Sequence, residues 1–339
     1  MNNIYDIAEK SGFSASTVAR ALSGKGYVKE ATKQKILTVA DALGYKPSHS
    51  ARSLRSQKTD KILMCIPDLY NPFYFNLIDG ANNVLEQHGY HIILFHSKRL
   101  LEEELKAITM LNERYGDGLL IGSFDFNPTN VEAMKAAKMP IVALFNSIPQ
   151  DSGLDCVYVD QRKAMYLAAC HLIEAGHTRI GVLNGEISNG QTGRQRYEGF
   201  AQALKTHGLD IAPDRVITSN FTREYTHTAV AQHIARHGGM NMTAIVAANT
   251  LMAIGCIDAC KEAGVAIPED LSIVSLDNTD VTTCTSPKLT VVDMHQEDVG
   301  KKAALLLLEQ LQGRAEYSKT VVVEPTLVPR GSVNALKAL

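Results

Sequence analysis

From residue 61 onward, short apolar runs alternate with segments of helical periodicity, and this alternation limits the possible fold more than any other feature. The runs lie at 62–67, 91–96, 118–122, 141–145, 156–159, 179–184, 244–249, 271–277, 289–294 and 320–325. Several are continuously apolar, which is typical of parallel strands covered on both faces. Helical patterns separate them, for example at 75–89 and 194–208. Repeated βαβ units over this length predict an α/β core of two doubly wound parallel sheets.

Composition limits where such a protein works. Hydrophobic residues make up 45% of the 339 residues and charged residues 21%, as in ordinary globular proteins. No apolar run approaches the roughly 18–20 residues that cross a bilayer, and the first ten residues do not resemble a signal peptide. The six cysteines are scattered without metal-ligand spacing. We therefore expect a cytoplasmic protein without membrane association.

The first 47 residues have a different pattern, that of three short helices. Ile4, Ile7 and Ala8 form an apolar stripe, Gly12 follows where the first helix must end, and Ser14 can cap the next helix. Val18, Ala21 and Leu22 then face inward, and a third helix follows at 32–45. This spacing predicts an all-α helix-turn-helix domain, with a plain helical hairpin as the alternative.

The charge distribution suggests what this domain binds. Residues 1–60 carry a net charge of +5 and the remainder −7, so the basic end is suited to a polyanion. The second helix leaves Ala15, Ser16, Thr17 and Arg20 pointing outward. Its short side chains allow close approach to base edges, and Arg20 is suited to bidentate contact with guanine. Tyr27 would lie near phosphates.

The α/β part contains no recognisable catalytic motif. It lacks the G-x-G-x-x-G, G-x-x-x-x-G-K-[ST], G-x-S-x-G and H-E-x-x-H patterns, and no histidines form a ligand-spaced set. We therefore expect no enzymatic activity, no catalytic residues, no cofactor and no metal site.

Polar and aromatic residues follow several of the predicted strands, where open α/β sheets bind ligands. They are Asn71, Phe73, Asn146, Asp160, Arg196, Phe221, Asn249 and Asp277. Aromatic faces beside amide, carboxylate and guanidinium groups are suited to a small hydroxylated molecule such as a sugar. Individually, Asn249 and Asp277 could instead form turns, and Phe73 and Phe221 could belong to the core.

These features together resemble the LacI/GalR (lactose/galactose repressor) family of bacterial transcriptional regulators. The resemblance runs along essentially the whole chain, through "NIYDIAEKSGFSASTVARALSGKGYV", "ALGYKPSHSARSLRSQKT", "IPDLYNPFY", "DGLLIGS", "HLIEAGHTRIGVLNG", "TGRQRYEGF", "AIVAANTLMAIG", "GVAIPEDLSIVSLDN", "SPKLTVVDM" and "VEPTLVPRGS". It implies a helix-turn-helix domain at 1–47, a hinge helix and linker at 48–60, and a periplasmic-binding-protein-like domain at 61–339. The last would consist of an N-subdomain, about 61–160 plus 291–320, and a C-subdomain, about 161–290 plus 321–332.

The resemblance also implies roles for individual residues. Ala15, Ser16 and Arg20 would enter the major groove, with Thr17, Ser23 and Tyr27 near the DNA backbone. Leu54 would wedge into the minor groove beside Arg55, and we expect the hinge helix to order only on DNA. Effector contacts would come from Asn71, Phe73, Arg196, Phe221, Asn249, Asp277 and Gln296.

The expected function is a repressor that binds a pseudo-palindromic operator as a homodimer, under control of a small effector, a sugar or a sugar derivative. Thr250 departs from the Asp that is common after Asn249 in the family, so a purine or a phosphoprotein partner stays open as the effector. No leucine heptad follows Arg330, which favours a dimer over a tetramer. From another class, a cytosolic small-molecule-binding protein without DNA function remains the alternative.

Overall fold

A computed structural model of the chain describes residues 3–23, 26–45, 58–188, 190–315 and 317–336. The chain divides into two compact units, Met1–Thr59 and Asp60–Leu339, which we call the head and the body. Each is described by itself below.

The head contains three short helices: α1 (Ile4–Ser11), α2 (Ala15–Ser23) and α3 (Glu30–Ala42). Their apolar faces meet in a small core of buried side chains, which are Ile7, Val18, Ala21, Ile36 and Ala40. The predicted all-α domain is therefore confirmed.

Local sequence signals fix the helix ends in the head. The Asn3 side chain accepts hydrogen bonds from the Tyr5 and Asp6 amides, and the Asp6 carboxylate accepts from the Asn3 amide, which is a capping box. Gly12 ends α1 at a φ of +75°, a conformation that glycine adopts without strain. The Ser14 hydroxyl accepts from the Thr17 amide at 3.3 Å, as the sequence predicts for a cap of α2.

The body contains two six-stranded sheets, each with helices on both faces. The first sheet has the order β11-β5-β4-β3-β1-β2 and is parallel throughout. Its strands are β1 (Lys61–Ile66), β2 (His91–His96), β3 (Gly118–Gly122), β4 (Ile141–Phe145), β5 (Asp155–Val159) and β11 (Thr320–Val323). Its helices are α4 (Phe73–Gln87), α5 (Leu101–Asn112), α6 (Pro128–Ala136) and α12 (Gln296–Leu311).

The second sheet has the order β12-β10-β9-β8-β6-β7, and only β12 is antiparallel to its neighbour. Its strands are β6 (Ile180–Asn184), β7 (Val216–Thr218), β8 (Ala244–Ala247), β9 (Ser272–Leu276), β10 (Thr290–Asp293) and β12 (Thr326–Val328). Its helices are α7 (Gln161–Glu174), α8 (Gln191–Thr206), α9 (Arg223–His237), α10 (Thr250–Glu262) and the short α11 (Val281–Cys284). Single-turn 3-10 helices lie at Gln150–Ser152 and Pro213–Arg215.

Residues that alternate along β1 show how the first sheet is covered. Ile62, Met64 and Ile66 pack against α4 and α12 on one face, whereas Leu63 and Cys65 pack against α5 and α6 on the other. Strands buried on both faces explain the continuous apolar runs in the sequence, and they confirm the doubly wound architecture.

Glycines let neighbouring helices approach closely. A Cβ on Gly80 of α4 would lie 2.2 Å from the Glu297 carbonyl of α12, and one on Gly300 would lie 2.2 Å from the Leu77 carbonyl. The two helices therefore meet at a separation that no larger residue at these positions would allow.

The chain passes between the two sheets three times: from β5 to α7, from β10 to α12, and from β11 to β12. Strand β10 belongs to the second sheet and β11 to the first, so the second and third crossings lie near 294 and 324. The subdomain boundaries predicted at 291 and 321 are therefore wrong by about three residues, because they fall inside strands. Within the described ranges, no helix combines the length and apolarity that a bilayer span requires.

Candidate functional site

The two subdomains of the body, each a sheet with its helices, touch along the carboxyl ends of their parallel strands. The Asn146 amide donates to the Thr192 hydroxyl at 2.9 Å. The Gln191 side chain accepts from the Phe126 amide at 3.2 Å and donates to the Ser147 carbonyl at 2.9 Å. The region beside these contacts, between the two sheets, is called the cleft below.

Arg196 and Asp277 form the charged centre of the cleft, and both are buried. The Arg196 guanidinium donates through Nε to Gln161 Oε1 at 2.9 Å and through Nη1 to the Ala248 carbonyl at 2.6 Å. Burial lowers the pKa of Arg196, while Asp277 raises it. The guanidinium is thus held by two neutral acceptors and influenced by one nearby carboxylate.

Asp277 follows β9 at a φ of +74°, a region that non-glycine residues rarely adopt. Its Oδ1 atom is buried and has no hydrogen-bond partner in the described part of the chain. Burial raises the pKa of this carboxyl to about 7, Arg196 lowers it and Asp293 raises it further. A buried acceptor left unpaired costs free energy, so the arrangement favours a ligand that donates to it.

Gln296 supplies the complementary group. It is the first residue of α12, it is 2% exposed, and its Nε2 atom is buried without a partner among the described residues. It follows His295, whose φ is +46°. Asp277 and Gln296 come after the adjacent strands β9 and β10, so an unpaired acceptor and an unpaired donor occur at the same edge of the sheet.

Aromatic rings contribute from both subdomains. The Phe73 ring centroid lies 4.5 Å from that of Phe145, in the N-subdomain. The Phe221 ring of the C-subdomain lies 5.2 Å from Phe124 of the N-subdomain, with the Arg196 guanidinium 5.6 Å from its centroid. A Cβ on Gly185 would lie 2.0 Å from the Phe221 ring, so this glycine makes room for the ring.

Tyr74 is a residue that the sequence analysis missed. Its ring packs edge-on against Phe73 at 5.0 Å, and the residue is 5% exposed. Burial raises the pKa of Tyr74, Arg99 lowers it and Asp277 raises it. The aromatic pair in "NPFY" was the available signal, because adjacent residues at the start of a helix can both reach a neighbouring cleft.

Other predicted residues hold the local backbone. The Asn71 side chain accepts from the Phe73 amide at 3.0 Å, and Asp160 caps α7 through the Arg162 and Lys163 amides. The Asn249 side chain accepts from the Met252 amide at 2.8 Å and donates to the Phe221 carbonyl at 3.0 Å. Their role in ligand binding stays a prediction.

Thr250 replaces the carboxylate expected after Asn249, and the structure shows what it does instead. Its hydroxyl contacts the Asp277 carbonyl at 3.1 Å and the Leu276 carbonyl at 3.4 Å, and the residue is 1% exposed. This hydroxyl therefore supports the loop that carries Asp277.

In the head, the predicted DNA contacts lie on the outer surface of α2 and beyond it. Ser16 and Arg20 are exposed, Ala15 and Thr17 are partly exposed, and Tyr27 is 85% exposed. Only the backbone of Ser23 is described, and Leu54 and Arg55 lie outside the described residues. Their assignment to DNA stays a prediction. Among the described residues, no three His, Cys, Asp or Glu side chains could together hold a metal ion.

Comparison with known proteins agrees with this geometry. Residues 3–48 match the family described as bacterial regulatory proteins, lacI family, and residues 59–328 match periplasmic binding proteins and the sugar binding domain of the LacI family. The chain belongs to the LacI family. It is a DNA-binding transcriptional repressor of this family, as the sequence resemblance predicts.

Individual LacI-family proteins align with the chain over nearly its full length. The HTH-type transcriptional repressor PurR of Photobacterium profundum is 31% identical over 337 residues, which covers 99% of this chain and 100% of the relative. A crystal structure of the lac repressor dimer bound to operator and the anti-inducer ONPF has a TM-score of 0.85 at 23% identity, covering 98% of this chain and 99% of that one.

A LacI family regulator from Enterococcus faecium, solved with bound ribose, has a TM-score of 0.72 at 25% identity. It covers 82% of this chain, and all of its own length aligns.

Proposed function

We propose that this LacI-family repressor acts in the cytoplasm as a homodimer on a pseudo-palindromic operator, and that a small uncharged effector controls its affinity. The effector is a sugar or a sugar derivative that binds in the cleft between Arg196, Asp277 and Gln296. It changes operator affinity only to the extent that it binds the two states of the body differently.

The observation that carries this proposal is the pair of unpaired buried atoms, Asp277 Oδ1 and Gln296 Nε2. One accepts and the other donates, and a hydroxyl group can satisfy either. The Phe73 and Phe221 rings supply apolar surface for the C–H face of a pyranose or furanose. The bound ribose of the Enterococcus faecium regulator supports the same ligand class.

Charge pairing in the cleft argues for an uncharged effector. Both guanidinium groups are already engaged: Arg196 donates to Gln161 and the Ala248 carbonyl in the field of Asp277. Arg99 forms an ion pair with Asp68 at 2.8 Å. A phosphate would have to compete with these partners. This favours a free sugar over a sugar phosphate or a phosphoprotein, and a neutral purine stays the second candidate.

The homodimer is supported by an exposed apolar surface around β2, an edge strand of the first sheet. This β2-edge surface comprises Leu69, Tyr70, Phe75, Leu94 and Leu100, each between 39% and 84% exposed. Tyr70 lies edge-on against His96 at 6.3 Å, which joins the loop after β1 to the end of the strand. Apolar surface collected at a sheet edge is typical of an association site.

A thermal-shift screen with free sugars, sugar phosphates and nucleobases tests the effector site. We expect a free sugar to raise the melting temperature of the wild-type protein, and we expect Asp277→Asn to abolish that shift. Asp280→Asn is the matched control, because Asp280 lies in the same loop and is exposed. A sugar that shifts the Asp277→Asn protein as much as the wild type would place the site elsewhere.

Sedimentation tests the dimer. Phe75→Glu together with Leu94→Arg should give monomers, because charges would then be buried in the interface. Tyr317→Glu, in the loop before β11 at the opposite edge of the same sheet, is the control and should leave the dimer intact. On DNA, Leu54→Ala should lower both operator affinity and DNA bending, and unchanged values would mean that 48–60 is only a flexible spacer.

A further inference from the structure

Arg99 stands in an unusual backbone conformation outside the set of predicted effector contacts. It lies between β2 and α5 at a φ of +61°, directly after Lys98 at +55°. Two successive non-glycine residues in the left-handed region are costly and persist only where their surroundings hold them.

Three contacts hold the Arg99 guanidinium, and one of them crosses the cleft. Nη2 pairs with Asp68 Oδ2 at 2.8 Å, and the guanidinium carbon lies 4.7 Å from the Phe124 ring centroid, both within the N-subdomain. Nη1 donates at 2.6 Å to the carbonyl of Asn220, which follows β7 in the C-subdomain. A single side chain therefore touches both halves of the body.

The segment that Arg99 reaches carries an aromatic residue of the cleft. Asn220 precedes Phe221, whose φ is +67°, and the Asn220 side chain accepts from the Thr222 amide and hydroxyl at 3.3 and 2.8 Å. The Phe221 ring in turn packs on Phe124, the ring that Arg99 covers. The N-subdomain thus fixes the backbone of this segment through Arg99 and its aromatic ring through Phe124.

We propose that Arg99 is a positioning residue for the cleft, which holds the Asn220–Phe221 segment from across the subdomain boundary. When the cleft closes, the same contact then also positions the Phe221 ring. The assignment of Phe221 to an effector rests on the proposed function, whereas the contact made by Arg99 does not.

The three contacts made by the side chain at position 99 require a guanidinium group. Its planar fork reaches a carboxylate and a carbonyl in different directions while its face covers a ring, which a lysine ammonium cannot do at one position. Arg99→Lys keeps the charge and should lose the contact with Asn220. It therefore separates the geometry of the contact from its electrostatics.

The chain contains no tryptophan, so Phe124→Trp gives a single fluorescent reporter at the contact. In the full-length protein without added sugar, we expect Arg99→Ala and Arg99→Lys each to increase acrylamide quenching of this reporter. Loss of the one charge-assisted hydrogen bond that crosses the cleft shifts the ratio of closed to open forms about tenfold. Arg114→Ala is the control, since Arg114 is exposed and also has a positive φ, +65°.

Amide hydrogen exchange without the reporter substitution gives an independent measurement. Arg99→Ala and Arg99→Lys should lose protection at 219–226 and 191–196, on the far side of the cleft, while protection at 161–174 stays at the Arg114→Ala level. If Arg99→Ala and Arg99→Lys both show the same exchange and quenching as Arg114→Ala, the proposal is overturned. If only Arg99→Lys keeps the wild-type protection, a guanidinium is not required at this position. If the Arg99 variants lose protection but no sugar stabilises the wild-type protein in the thermal-shift screen, the contact is supported and the proposed effector class is rejected.

Discussion

In the head, the residues assigned to DNA lie on the surface and the buried residues are apolar, whereas in the body the residues assigned to the effector are themselves buried. Ser16 and Arg20 face solvent above a core of five small and medium side chains. Asp277 and Gln296 are 2% exposed and leave polar atoms unpaired. Binding residues therefore cost the head little stability, while in the body they are among the least favourable groups in the fold.

The largest effect is expected from a substitution in the small core of the head, because the body does not depend on it. Ile7→Ala removes a fully buried side chain from the head and should destabilise that unit by about 2–5 kcal/mol, which is comparable to the total stability of so small a domain. Calorimetry should show the head transition lost and the body transition unchanged. A body transition that shifted equally would contradict the independence of the two units.

Asp277→Asn should stabilise the body while removing its response to sugar. Because burial raises the pKa of Asp277 above its unfolded value, the carboxyl favours the folded state most below about pH 4, and that contribution is lost as the pH rises through about 7. At pH 8 the substitution should therefore add up to about 4 kcal/mol. Urea unfolding at pH 4 and pH 8 measures this, and a gain at pH 4 as large as at pH 8 would contradict it.

Arg20→Ala should show the opposite behaviour in the head: lost recognition without a change in stability. We expect operator affinity to fall by about 1–3 kcal/mol with relaxed sequence preference, while the melting temperature stays constant. Lys29→Ala, an exposed position beyond α2, should weaken specific and non-specific DNA alike and reduce the salt dependence. Anisotropy titrations at several salt concentrations separate the two.

The smallest expected effect concerns the decrease in the stability of the body at low pH. His177 is buried, with Nδ1 3.0 Å from the Thr243 hydroxyl and Nε2 3.0 Å from the Asn334 carbonyl, and burial lowers its pKa. Its contribution to stability is therefore present above the unfolded pKa and is lost as the pH falls below it. His177→Gln should flatten the decline in stability between pH 7 and pH 5 as measured by urea unfolding, and an unchanged decline would contradict this.

The sequence predicted the elements well where the local pattern was long. The ten apolar runs correspond to strands of the two sheets, and the continuous runs of β3 and β4 are explained by burial on both faces. Strands β7 and β12 were missed, since three residues carry too short a pattern. The crossings near 294 and 324 were misplaced because hydrophobicity shows that a strand is buried and not which sheet it joins.

Residue type located the cleft but not the role of each group in it. Asn249 was interpreted as either a turn former or a contact, and its amide does cap α10, while Asp277 keeps Oδ1 unpaired. Arg99 was not identified, because its contact with Asn220 joins residues 121 positions apart, whereas Tyr74 was missed although the "NPFY" aromatic pair was available as a signal. Only the folded chain brings such groups together.

The three crossings between the sheets have a consequence for control. The tethers lie side by side, since Lys163 pairs with Glu324 and His295 hydrogen-bonds to Thr326, so they form one hinge region between the two sheets. A ligand proposed for the cleft would therefore act by opening or closing the angle at this hinge. On this proposal, an inducer and a co-repressor differ in the direction in which they change that angle.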